Sequence, residues 1–224
     1  MQKLPTYQVT RSRRRSISLQ INHNGELIVK APYLLPAFVV HQFVRNKSDW
    51  IEKQMKLVTR FHAVKKGDVA EGDEYPFLGE TYILHAGNYK RIHIANTLNI
   101  PTFLMFRVKK ELTDWYIKQA KEILTERVNY HATIMNTSFV RITFSDTTSK
   151  WGSCGHDNAL QFNWRLIMAP LLIIDYVVVH ELAHTKEKNH GANFWKEVSR
   201  YKPAYRQYVK WLRANSHKLH SILH

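Results

Sequence analysis

Cysteine is nearly absent. The 224 residues contain one, Cys154, so no disulfide can form within the chain, and a reducing compartment fits that usage. Long apolar runs are missing too: none approaches the roughly 18 residues that a membrane-spanning helix needs. The opening residues, MQKLPTYQVTRSRRRS, contain no apolar stretch of the signal-peptide kind. The expectation is a cytoplasmic protein without membrane attachment. Repeats, low-complexity tracts and Pro/Gly/Ser-rich linkers are also lacking. Acidic residues are scarce, 18 Asp and Glu against 33 Lys and Arg, which leaves a net charge of +15. A field of that sign favours anionic partners such as nucleic acid, nucleotides or acidic peptides, and says nothing about fold.

What is present suits a globular chain. Hydrophobic residues make up 44%, enough for one large domain or two small ones. Residues 16–30 alternate apolar and polar on both sides of Asn24-Gly25, a hairpin signal, because Asn and Gly tolerate the positive φ of a tight turn. Residues 36–62 have helical spacing from Phe38 to Val58, with a break near Asn46–Ser48. YPFLG, TYILHAG and RIHIA then read as short strands. A long helix is expected from Thr102 to Met135, with Pro101 suited to its start. Strands are expected within SFVRITFSD and NALQFNWRLIMAP. A helix over 171–186 follows Pro170, and two more, parted near Pro203, run from Gly191 to Asn215. These elements make an α+β chain, with a β-rich N-terminal region carrying a helical insert (residues 1–100) and a second domain from 101 to 224.

The apolar run LLIIDYVVV leads into HELAH, residues 180–184. Residues four apart on a helix differ by about 40° of rotation and about 6 Å of rise. His180 and His184 can therefore aim at one tetrahedral zinc site. Glu181, about 100° round, reaches a water on the metal and can act as general base. Burying two imidazoles and a carboxylate without partners would be unfavourable, and a metal meets the demand. His190 comes ten residues after His180. A continuous helix would carry it about 15 Å away, so the helix must break after His184 if His190 is the third ligand. Asn189 could end the helix in a left-handed conformation, and Gly191 gives slack beyond it.

TSKWGSC, FNWRLIMAP and IDYVVVHELAHTKEKNHGANFW resemble the YgjP-like metallopeptidase family, which is related to the SprT-like and WLM-domain zinc proteases. RSRRRSISLQINHNGELIVKAP and YPFLGETYIL are similar to that family's N-terminal part. The resemblance implies a zincin-like catalytic domain with zinc on His180, His184 and His190, and Glu181 as the acid/base residue. Metzincins share the ten-residue ligand spacing, but Glu187 stands where they have glycine, and no Met-turn can be assigned.

The leading reading is a zinc-dependent peptidase acting on peptide or protein substrates. In zincins an edge strand beside the active helix pairs with an extended peptide, and the strand in NALQFNWRLI is the candidate. Trp151, Asn163 and Arg165 are the candidate substrate-binding residues, with Trp151-Gly152-Ser153 shaping a turn at the cleft. Asn163, Arg165, Tyr201 and Tyr205 are plausible donors for a developing oxyanion. Two alternatives stay open: a metal-dependent phosphoanhydride hydrolase acting on nucleoside triphosphates, and a nucleic-acid-associated protein with the zinc site. The arginines of RSRRR and the C-terminal histidines read as a solvated run and an amphipathic tail.

Overall fold

The structure, a computed structural model, describes residues 6–21, 26–52, 55 and 69–224. It divides into two compact units, Met1–Gly67 and Asp68–His224.

In the first unit, β1 (Tyr7–Ser12), β2 (Ser18–Ile21) and β3 (Leu27–Pro32) form a sheet in the order β1-β3-β2. β3 lies parallel to β1 and antiparallel to β2. The alternation read in the sequence is real: Leu27, Val29 and Ala31 are fully buried, while Lys30 is exposed. The Asn24-Gly25 turn lies outside the described residues. Helix α1 (Ala37–Asn46) turns Val40 and Val44 onto the same core. The expected break follows at Lys47, and a second helix, α2, is described over 48–52 and adds Ile51. Residues 56–62 of the expected helix fall outside the description. Arg11 Nη1 donates to the carbonyls of Pro32 (3.2 Å), Tyr33 (2.9 Å) and Leu35 (2.7 Å), tying down the turn before α1.

The second unit opens with β4 (Glu74–Phe77), β5 (Glu80–Gly87), β6 (His93–Ile94) and β7 (Leu98–Pro101), ordered β4-β5-β7-β6. The turn between β4 and β5 has positive φ at Leu78 (52°) and Gly79 (90°), the conformation of a tight hairpin. Its amides are spent on a distant segment: Leu78 N–H donates to Ile167 O (2.9 Å) and Gly79 N–H to Met168 O (3.3 Å). A Cβ on Gly79 would lie 2.8 Å from Pro170 Cα. The chain thus divides between Gly67 and Asp68, not near residue 100. Tyr75, Leu84, Leu98 and Ile100 of this sheet share a core with Leu112 and Tyr116 of the long helix, so sheet and helix fold as one body.

That helix, α3 (Val108–Ile134), follows a 3-10 turn over Thr102–Arg107. Val108, Leu112, Tyr116, Ala120, Leu124, Val128 and Ala132 are buried, each four residues after the last. Four residues overshoot a 3.6-residue turn by about 40°, so the buried stripe winds around the helix. Towards its start Tyr116 Oη donates to Pro76 O (2.9 Å); towards its end Arg127 reaches Asp175 on the next helix. Asn136 closes α3 with φ 47°, while Thr137 N–H donates to Ala132 O and Asn136 N–H to Thr133 O, a Schellman arrangement.

A second sheet holds β8 (Ile142–Ser145), β9 (Gly152–Cys154) and β10 (Leu160–Asn163) in the order β8-β10-β9. β10 is therefore its centre, and β9, read from sequence as a turn, is an edge. After a 3-10 turn (Trp164–Met168) come α4 (Leu171–Ala183), α5 (Ala192–Tyr201) and α6 (Tyr205–Ser221). Ten of the thirteen residues of α4 are buried, as befits a helix apolar nearly all round. Among the described residues no helix is long and apolar enough to cross a membrane.

Candidate metal centre

The last turn of α4 carries His180 and Glu181, and His184 stands at its C-cap with φ −67° and ψ −15°. The helix stops at Ala183, three residues short of the expected end. Asn189 is not the stop, since it is not among the residues with positive φ. Instead Thr185 N–H donates to Leu182 O, and the amides of Lys186 and Glu187 to Ala183 O, which tightens the chain into a turn. Two lysines then fix the loop. Lys186 Nζ donates to Met135 O (2.6 Å) and Glu197 Oε1 (2.7 Å). Lys188 Nζ donates to Gly155 O (2.9 Å) and Asn158 Oδ1 (2.5 Å). In the sequence this stretch, TKEKN, showed only as polar.

The loop returns His190 to the helix. Its Nε2 lies 3.0 Å from His180 Nε2 and 3.2 Å from His184 Nε2. Among the described residues this trio is the one group of three or more His, Cys, Asp or Glu side chains whose ligand atoms converge, all within 4.8 Å of one another. Nitrogens bound at about 2.0–2.1 Å around a tetrahedral ion stand about 3.3 Å apart, so the spacing fits. The donor chemistry fits as well. His184 Nδ1 lies 3.0 Å from Glu187 O. That bond requires the proton on Nδ1, which leaves a lone pair on Nε2 of the neutral ring. Burial, then the charges of His184 and His190, push the pKa of His180 down to about 3. Burial, aided by His190 and Lys188, also lowers that of His184 against the opposing pull of its bond to Glu187 O. Neutral imidazoles with inward lone pairs are the ligands a divalent cation needs.

Phe194 sits among the three rings. It is fully buried, stacked at 4.4 Å on His184 and edge-on to His180 (4.9 Å) and His190 (4.6 Å). Trp195 stands 5.9 Å from His180 and 5.8 Å from His190, and Tyr205 stacks on Trp195 at 4.9 Å. Only the proximity of GANFW to His190 hints at this aromatic packing in the sequence.

Glu181 is 5% exposed, and burial pushes its pKa up to about 8 against the opposing pull of Lys150. The carboxylate lies against β9. A Cβ on Gly152 would come within 2.7 Å of both Glu181 Cγ and Oε1. Gly152 is therefore part of the site, a role hidden when the residue is read as a turn former.

The three candidate substrate-binding residues have other work. Arg165 is fully buried. Its Nε donates to Ile222 O (2.9 Å), Nη2 to Leu223 O (3.4 Å) and Nη1 to Asp146, and its guanidinium covers the Trp164 ring. Asn163, 1% exposed, caps the 3-10 turn by accepting from Arg165 N–H (2.8 Å) and donates from Nδ2 to Thr147 O. Trp151 Nε1 donates to Ser216 Oγ (3.0 Å), and its ring stacks on His220 at 4.2 Å. All three brace the strands and the C-terminal helix. A sequence shows a polar side chain, not the backbone carbonyl that has already claimed it.

Three converging histidines, with a buried carboxylate packed on a neighbouring strand, make an arrangement that suits a metal-dependent hydrolase. The YgjP-like metallopeptidase domain matches residues 15–215, and the chain belongs to that family. It is also similar to the crystal structure of the metallopeptidase zymogen of Methanocaldococcus jannaschii jannalysin, with 25% identity over 35% of this chain and 80% of that one. The TM-score of that match is 0.32. Among curated proteins none matches.

Proposed function

We propose that this chain is a zinc-dependent peptidase of the zincin kind. His180, His184 and His190 hold the metal, which supplies Lewis acidity and eases the formation of a nucleophile from water at neutral pH. Glu181 takes a proton at its carboxylate and returns it to the leaving amine. Gly152 leaves room for that carboxylate. An extended peptide lies along the free edge of β9, not on β10, whose two edges are taken by β8 and β9. Of the four donors considered for the oxyanion, Asn163 and Arg165 are spent, and Tyr205, stacked beside the imidazoles on Trp195, is the best placed.

The carrying observation is the convergence of three imidazoles, with His190 Nε2 at 3.0 Å from His180 Nε2 and 3.2 Å from His184 Nε2. The experiment offers unfolded protein, nucleoside triphosphates and single-stranded DNA to the metal-loaded chain in parallel. Glu181→Gln should keep its metal and lose peptide cleavage by at least about 100-fold. A variant that cleaves as fast as wild type removes Glu181 from its role, and turnover confined to the triphosphates replaces the peptidase with a phosphoanhydride hydrolase.

A further inference from the structure

We propose that the first unit carries a docking surface for single-stranded nucleic acid, built on the Tyr33–Leu34 turn and the outer face of α1. The inference rests on nothing in the metal centre.

Charge is the first observation. Residues 1–67 hold 13 Lys and Arg against 3 Asp and Glu, a net +10, whereas residues 68–224 hold 20 against 15, a net +5. Most of the excess positive charge therefore sits in less than a third of the chain. Helix α1 contains no acidic residue at all. Of the RSRRR run, Arg11 is committed to its three carbonyls, while Arg13 and Arg15 are exposed.

Exposed apolar surface is the second. Tyr33 (61%), Leu34 (96%), Phe38 (70%) and Trp50 (44%) are all open to solvent within one short stretch of chain. Single exposed apolar residues are ordinary, but a cluster of large ones on an ordered segment marks a contact surface. The order here is built: the Arg11 guanidinium holds the turn by the carbonyls on either side of Leu34. On α1 the exposed residues Phe38, His41, Gln42 and Arg45 recur at helical spacing, opposite the buried Val40 and Val44.

Cations select phosphate, and exposed aromatic faces select unstacked bases. A duplex keeps its bases stacked and offers those rings nothing. An anionic membrane would need a broad apolar helix face, but Phe38 on α1 is surrounded by His41, Gln42 and Arg45. A single strand uses both features, its phosphates near Arg13, Arg15 and Arg45 and its bases on Tyr33 and Phe38.

The test is fluorescence anisotropy of the full chain with labelled 20-nucleotide oligo-dT and oligo-rU, a duplex of equal length, and phosphatidylserine-containing vesicles. At low salt a single strand should bind more tightly than the duplex by about fivefold or more, and either sugar satisfies the proposal. Tyr33→Ala/Phe38→Ala should weaken binding about tenfold with the salt slope unchanged. Arg13→Ala/Arg15→Ala should lower that slope by about 1.4, near 0.7 for each lost phosphate contact. Phe103→Ala/Phe106→Ala, which removes exposed rings from the second unit (66% and 81%), should change nothing. Equal binding of duplex and single strand, indifference to the Tyr33/Phe38 pair, loss with the Phe103/Phe106 pair, or capture by vesicles alone would each overturn it.

Discussion

Two buried polar clusters lie little more than a helical turn apart on α4, and they are built on opposite plans. Around Asp175 opposite charges meet, one carboxylate against two cations. Arg127 donates from Nε (2.7 Å) and Nη2 (2.9 Å), Lys202 from Nζ (3.1 Å), and His131 Nε2 lies 3.2 Å away. Around His180 three like groups face one another, with the ring nitrogens of His180 and His184 each in contact with that of His190. The first cluster is held together by opposite charges. The second brings like groups together, an arrangement that a cation would resolve. Burial alone does not distinguish function from structure; whether the donors and acceptors cancel does.

The comparison breaks first at the imidazoles. His180→Ala should abolish stoichiometric metal binding, weakening affinity by more than the roughly 10–100-fold that losing an outer partner costs. Elemental analysis of protein purified without chelator reads this directly, and a variant that still carries one ion per chain would make the cluster structural.

The opposite pole is Asp175→Asn. Removing one side of a buried ion pair costs about 3–5 kcal/mol, so the denaturation midpoint should fall steeply while the folded fraction still binds metal. Burial raises the pKa of Asp175, but hydrogen bonds from His131, Arg127 and Lys202 outweigh it and hold the group well below the usual carboxylate range. A carboxylate depressed on folding contributes stability above its unfolded pKa of about 3.9 and loses it as pH falls towards the lower folded value. The gap between wild type and variant should accordingly be full at pH 6 and shrink below about pH 4. A gap that is constant in urea melts across that range would mean Asp175 is not the charged partner.

Gly152→Ala sharpens the comparison within the site. The added methyl displaces the Glu181 carboxylate and leaves the imidazoles alone. Turnover should drop by about 100-fold, as misplacement of about 1 Å can cost, with metal content intact. Trp151→Phe is the smallest test. It keeps the stack on His220 and loses the bond to Ser216, about 1 kcal/mol. A lowered Tm with unaltered KM fits a bracing role, and a raised KM would restore Trp151 to the substrate.

Where sequence and structure agree, a single periodicity governs. β3 alternates because one face meets α1, and α3 was legible because its buried residues recur every fourth position. β7 was missed for the opposite reason: Leu98, Asn99, Ile100 and Pro101 are all buried, so no alternation exists to be seen. β9 is three residues long and begins with glycine, which carries almost no strand signal. At the site, the spacing in HELAH put two candidate ligands on one helix face by geometry alone. His190 was legible as a possibility, while the lysines that bring it home bond to Met135, Gly155 and Asn158, partners far away in the chain. Glu181 could be picked out by type, but its neighbour Gly152 could not, because the cause of that glycine is a carboxylate on another element.

The tight turn at Leu78 and Gly79 lies far upstream of the histidines, yet it abuts the proline from which α4 departs. Surface hairpins are ordinarily safe places to insert a tag or lengthen a loop. This one is a footing for the helix beneath the three imidazoles, and an insertion there should yield protein that, once loaded with metal, loses the ion on mild warming, even though all three histidines are still in place.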